Sequence, residues 1–126
     1  MRTQAGSVSP GSREVSMTFK ISFHFVIKPE WEHAIREGRK TIDVRVNAEK
    51  YAEVKKGDNI YYSSTEVRVR SIRAYPGLED LLHHEDYRKV VPGAKTADEA
   101  LHALRGVGFR GDSPHGVLAL EIEFIK

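Results

Sequence analysis

Between Gly38 and Arg45 the chain reads Gly-Arg-Lys-Thr-Ile-Asp-Val-Arg, and Lys40, Thr41, Asp43 and Arg45 are the residues whose spacing could build a site. Lys40 offers an ammonium, Thr41 a hydroxyl, Asp43 a carboxylate and Arg45 a guanidinium. Strand alternation puts Thr41, Asp43 and Arg45 on one side and Ile42 and Val44 on the other. Asp43 and Arg45 are then close enough to pair or to share a polar ligand. Lys40, where a helix gives way to the strand, sits at the mouth of the sheet with its ammonium free to reach outward. Such a set can hold an anion or a nucleobase. A lysine beside a carboxylate can also be an activated amine if burial lowers its pKa, so Lys40 is the candidate catalytic residue should the protein be an enzyme. The plainer alternative is a solvated strand face with one weak ion pair, worth about 0 to 1 kcal/mol.

A second basic group is Arg68, Arg70 and Arg73, with Tyr61, Tyr62 and Tyr75 near in sequence. Guanidinium groups beside aromatic rings suit single-stranded nucleic acid, because bases stack and phosphates pair. An ordinary charged exterior strand gives the same pattern. Gly116, just before the last strand, either lets a ligand or a neighbouring backbone approach closely or is a plain turn glycine. The six histidines lack the i, i+4 spacing of a zinc-binding helix, and no metal or cofactor is expected. Ser63, Ser64 and Ser113 lack the glycine-flanked turn of a serine nucleophile.

The elements that must position these groups are short. Phe19 to Ile27 alternates strictly and reads as a half-buried strand. Pro29 opens a helix over 30–37 with Trp31, Ala34 and Ile35 as its apolar stripe, and Gly38 closes it. Strands follow through Ile60 and Tyr62, and through Val67 and Val69, whose alternation turns Arg68 and Arg70 outward. Leu78, Leu81 and Leu82 mark a second helix. A third begins at Thr96 with Glu99 three residues on, a capping-box pattern, and buries Leu101 and Leu104. The last strand carries Leu118, Leu120, Ile122 and Phe124 inward. Strands with most of the core and two or three short inserted helices define an α+β domain, with five or six mostly antiparallel strands that close naturally into a small β-barrel.

With 126 residues the chain forms one domain able to bury roughly two thirds of its unfolded surface. A net charge of +2 is too small to predict nucleic-acid binding, so the clustering of basic residues has to decide it. The absence of cysteine excludes disulfides, thiolate metal sites and a cysteine nucleophile. No segment reaches the roughly 18 apolar residues of a membrane span, and none has the pattern of a secretory signal, so no membrane is expected and a cytoplasmic location is the default expectation. Residues 1–17, rich in Ser, Gly and Thr, read as a disordered tail before a domain over 18–126.

Four segments in order, "IREGRKTIDVR", "VKKGDNIYY", "VRVRSIRAYPGLEDLL" and "HGVLALEI", resemble the ASCH (activating signal cointegrator homology) domain of the PUA-like superfamily. The resemblance covers Phe19 to Lys126. The family's Gly-x-Lys-x-x-Glu-x-Arg hallmark reads here Gly38, Lys40, Asp43 and Arg45, with aspartate in place of glutamate. It implies a small PUA-like β-barrel with a cleft beside the helix–strand turn that binds RNA or a modified nucleoside. In that cleft Lys40 and Arg45 would contact phosphate or a base edge. Asp43 would orient Arg45 or accept from a base amino group, with Thr41 beside them and Arg68 and Arg70 on the RNA backbone. The expected function is an RNA-binding module. Some members resemble N4-acetylcytidine amidohydrolases, with a lysine, a threonine three residues later and a more distant glutamate, and ribonuclease activity is a further alternative. Lys40 matches that lysine, but Asp43 stands where the threonine would be, and only Glu79 and Glu85 offer the glutamate. A third alternative is a protein-interaction module of an RNA-processing or transcription assembly.

Overall fold

The computed structural model describes residues 22–108 and 114–126. The expected tail, the beginning of the expected first strand at Phe19 and Ser113 lie outside the described residues. Within them the first strand is β1, Ser22–His24, which runs parallel to β3, Asn59–Tyr62, with Phe23 beside Ile60. Pro29 starts α1, Pro29–Arg36, at a position where its missing N–H is no loss. Glu30 and Glu32 in the first turn and His33 and Arg36 in the last complement the helix dipole. Gly38 takes φ +79°, and the N–H groups of Arg39 and Lys40 both return to Ala34 O at 2.9 and 3.2 Å. The chain thereby turns sharply from the helix into β2, Ile42–Val46.

β4, Thr65–Tyr75, pairs antiparallel with β3 and with β5, Val117–Phe124, which in turn pairs antiparallel with β2. The strand order is therefore β1-β3-β4-β5-β2. Among the described residues β1 and β2, the two edges, do not pair, so the sheet curls into a half-barrel with a seam instead of the closed barrel expected from alternation.

Two cores flank the sheet. Phe23, Phe25, Ile60, Tyr62, Val67, Val69, Leu118, Leu120 and Ile122 fill the inside of the curl, with Ile35 of α1 packed among them. On the outer face α2 (Leu78–His84), α3 (Tyr87–Val90) and α4 (Ala97–Gly106) cover Ile42, Val44, Val117 and Ala119. Each fully buried aliphatic side chain contributes about 1.5–3 kcal/mol relative to exposure, so the helices pin the β2–β5 end of the sheet firmly. Among the described residues there are four α-helices where two or three were expected. The additional one, α3, is a single turn capped by Asp86, whose carboxylate accepts from Arg88 N at 3.0 Å; it is too short to leave a periodic signature. The Thr96 cap of α4 forms as its spacing predicts, with Oγ accepting from Glu99 N at 3.1 Å.

Candidate functional site

Because β2 pairs Asp43 with Leu120 and Arg45 with Leu118, both polar residues share the face that looks into the curl. Ile42 and Val44 look the other way, into the helices. The polar row of β2 is therefore not a solvated face: the Asp43 side chain is 5% exposed and that of Arg45 13%. Asp43 Oδ2 accepts from Arg45 Nε at 2.9 Å and from the Tyr62 hydroxyl at 2.6 Å. Arg45 Nη2 donates to Val26 O at 2.8 Å, so this one side chain spans the seam from β2 to the segment following β1. Its guanidinium also lies over the rings of Phe25, Tyr51 and Tyr62, at 5.0, 5.4 and 5.9 Å from their centroids. Burial works against the Arg45 charge, but Asp43 and the neighbouring tyrosines outweigh it and hold the pKa above its ordinary value. Burial, reinforced by Asp43, pushes the Tyr62 hydroxyl well above its usual range and keeps it a proton donor.

Lys40 does not reach outward as expected. It is 2% exposed, and its ammonium is turned inward because two carbonyls are there to receive it: Nζ donates to Ile42 O at 2.7 Å and to Val90 O at the end of α3. The same group lies 4.9 Å from the centroid of the Trp31 ring. Burial lowers its pKa from 10.5 to about 8, a shift that Asp43 only partly offsets.

The expected cleft is two separate hollows. One, of about 300 Å³, opens at the seam and is bordered by Asp43, Val44 and Arg45 from β2, by Val26, Ile27, Lys28 and Trp31 from the segment leading into α1, and by Val107. The other, of about 490 Å³, lies beyond the end of α1 and contains Lys40, Thr41, Arg36, Arg70 and Lys126 together with Glu37, Glu121 and Glu123. Three carboxylates there, one of them paired with Arg70 at 2.7 Å, leave little net field for a phosphate. Thr41 is held by its backbone, accepting from Ile122 N at 2.9 Å and donating to Lys89 O at 3.2 Å. Arg68 stands exposed on the outer face of β4 and borders neither hollow. Gly116 is apart from both: at φ +79° a Cβ there would meet Tyr75 O at 2.2 Å, so the close neighbour is backbone.

The two glutamates considered for a deacylase lie elsewhere. Glu79 is exposed beside Arg105, and Glu85 is clasped by Arg73, whose Nε and Nη2 donate to its two oxygens at 2.6 and 2.9 Å, with the Tyr75 hydroxyl donating as well. Arg73 also reaches Glu121 at 2.9 Å, so this network fastens α2 to the sheet. Among the described residues no three His, Asp or Glu side chains gather as a metal ion requires.

The sequence pattern does not mark Trp31, Phe25, Tyr51 or Lys28 as members of the site, and it puts Tyr62 with the Arg68 group instead. Tyr61 and Tyr62 are consecutive on a strand, so only one can face outward near Arg68; Tyr62 is the inward one.

Residues 26–126 match the model of the ASCH domain, and the chain belongs to that family. It is similar to hypothetical protein PH0355, known from a crystal structure, with a TM-score of 0.78 and 30% identity over 83% of this chain and 100% of that one. It is also similar to the solution NMR structure of protein PF0455 from Pyrococcus furiosus, with a TM-score of 0.71 and 28% identity over 84% of this chain and 99% of the other. No curated protein matches the sequence.

Proposed function

We propose that this protein is an RNA-binding module whose seam cavity receives a nucleobase or a modified nucleoside. The observation that carries the reading is the composition of that cavity. Trp31 supplies an aromatic wall, Asp43 and Arg45 supply a fixed acceptor and donor, and Lys28 adds a cation 40% exposed in its side chain. Asp43 Oδ1 has no donor among the described residues, so a base amino or imino group would complete it. About 300 Å³ is the size of a small ligand site and suits one base with part of its ribose. Membership of the ASCH family, which is generally associated with RNA, points the same way.

Trp31 is the sole tryptophan of the chain, so its emission reports this cavity alone. Titration with ribonucleoside 5′-monophosphates and short RNA should quench it saturably, and Asp43→Asn should weaken the binding about tenfold. RNA binding that leaves Trp31 emission unaltered would move the interface away from the seam.

Hydrolysis of an N4-acetylcytidine-type substrate is the second reading, drawn from the lowered pKa of Lys40 beside Asp43. Against it, the Lys40 amine is engaged by two carbonyls and borders only the larger hollow. Deacetylation that is lost in Lys40→Met would establish the enzyme; absence of product leaves the binding module.

A further inference from the structure

Next to the seam cavity is a second hollow of about 240 Å³, bordered by Arg45, Val46, Tyr51, Val107 and Gly108. The two hollows share Arg45 and Val107. Val26 and Val107 are the exposed large apolar side chains among the described residues, at 87% and 40%, and both stand on the rim of the seam cavity. Apolar lips beside an aromatic ring suit the flat faces of bases.

Arg45 directs Nε to Asp43 and Nη2 to Val26 O, while Nη1 has no acceptor among the described residues. The residue that carries these free N–H groups borders both hollows. The exposed Lys50 places its ammonium 5.5 Å from the centroid of the Tyr51 ring and 5.4 Å from that of Phe25, with His24 O at 3.5 Å. The two hollows thus share one cation, Arg45, and the second adds an aromatic ring, Tyr51, with a further cation, Lys50, near that ring. Cations interleaved with aromatic rings suit the alternation of phosphate and base in an extended strand.

We infer that the seam binds two consecutive nucleotides of single-stranded RNA, one base in each hollow, with Arg45 beneath the linkage between them. This rests on the seam cavity being a base site. Tyr51 would carry the second base and Lys50 would face its phosphate, so the ligand is an RNA chain and not a free nucleoside.

The test compares the four ribonucleoside 5′-monophosphates with the sixteen RNA dinucleotides, using Trp31 quenching and calorimetry. The best dinucleotide should bind at least about tenfold tighter than the better of its two monophosphates, in line with one added base–aromatic stack. Tyr51→Ala should reduce that ratio to about one and Tyr51→Phe should keep it, since the ring is retained. Lys50→Ala, on an exposed side chain, should lower the ratio without a folding defect and reduce its salt dependence. If monophosphates bind and dinucleotides bind no better, the second subsite is wrong and the base site stands. A dinucleotide advantage that survives both Tyr51→Ala and Lys50→Ala also overturns the second subsite. Failure of every ligand to bind removes the base site itself, and the inference with it.

Discussion

Replacing Lys40 with methionine tests how completely the ammonium is withdrawn from water. With 2% exposure and a pKa lowered by burial from 10.5 to about 8, the native lysine loses its proton well before the unfolded one does. Below pH 8 both states are protonated, and the native state bears the whole cost of the buried charge. Between pH 8 and 10.5 the unfolded chain binds more protons, so stability rises with pH across that window and gains nothing more from Lys40 above it. A gap of about 2.5 pH units at about 1.36 kcal/mol per unit amounts to about 3 kcal/mol. Tyr62 acts in the opposite direction: its pKa is raised in the native state, so the unfolded chain gives up that proton first, above about pH 10. Urea unfolding of the wild type should therefore show stability climbing from pH 8 to about 10 and then turning down. Lys40→Met should keep the downturn and lose the climb. At neutral pH the variant also gives up hydrogen bonds to Ile42 O and Val90 O, so its offset from wild type is not diagnostic, whereas its slope is. Parallel curves for the two proteins between pH 8 and 10 would refute the burial of a charge at this position.

Asp43→Ala removes the acceptor shared by Arg45 and Tyr62 and leaves a buried cation; urea unfolding should register a loss of about 3–5 kcal/mol, and a loss below about 1 kcal/mol would mean that the pair is solvated. Gly116→Ala combines a left-handed backbone with a Cβ 2.2 Å from Tyr75 O, so thermal unfolding should show about 3 kcal/mol of destabilisation with Trp31 quenching by RNA retained in the protein that folds.

The strands were legible because alternation is a local property. Val67 and Val69 are inside and Arg68 and Arg70 outside as the pattern of β4 has it, and Trp31, Ala34 and Ile35 form the buried stripe of α1. Gly38 closes that helix at a positive φ, as its position suggests. Alternation distinguishes the two faces of a strand but does not say what covers each. For β2 the apolar side met helices that come 30 and more residues later, and the polar side was turned into the curl. Lys40 illustrates the same limit, since one of its acceptors, Val90 O, is 50 residues away along the chain. A lysine at a helix–strand turn looks solvated until that carbonyl is placed. Gly116 left a ligand or a backbone as its close neighbour, and only the fold places Tyr75 there.

Arg45 has two roles that need to be weighed against each other. It spans the seam where β1 and β2 fail to pair, which is a structural service. A seam that needed only closing would be closed at lower cost by apolar side chains of similar volume, because a buried ion pair rarely recovers the desolvation of its two charges. Here the interior of the curl instead holds Asp43, Arg45 and Tyr62, bonded to one another on one side. On the other side the carboxylate and the guanidinium each keep an atom without a protein partner among the described residues, and both border the cavity. The mutual bonds fix both groups in place, and the remaining atoms are what a ligand would meet. Preorganised polar atoms of this kind account for the charge in the interior better than closure does, which is the physical argument for the proposed recognition at the seam.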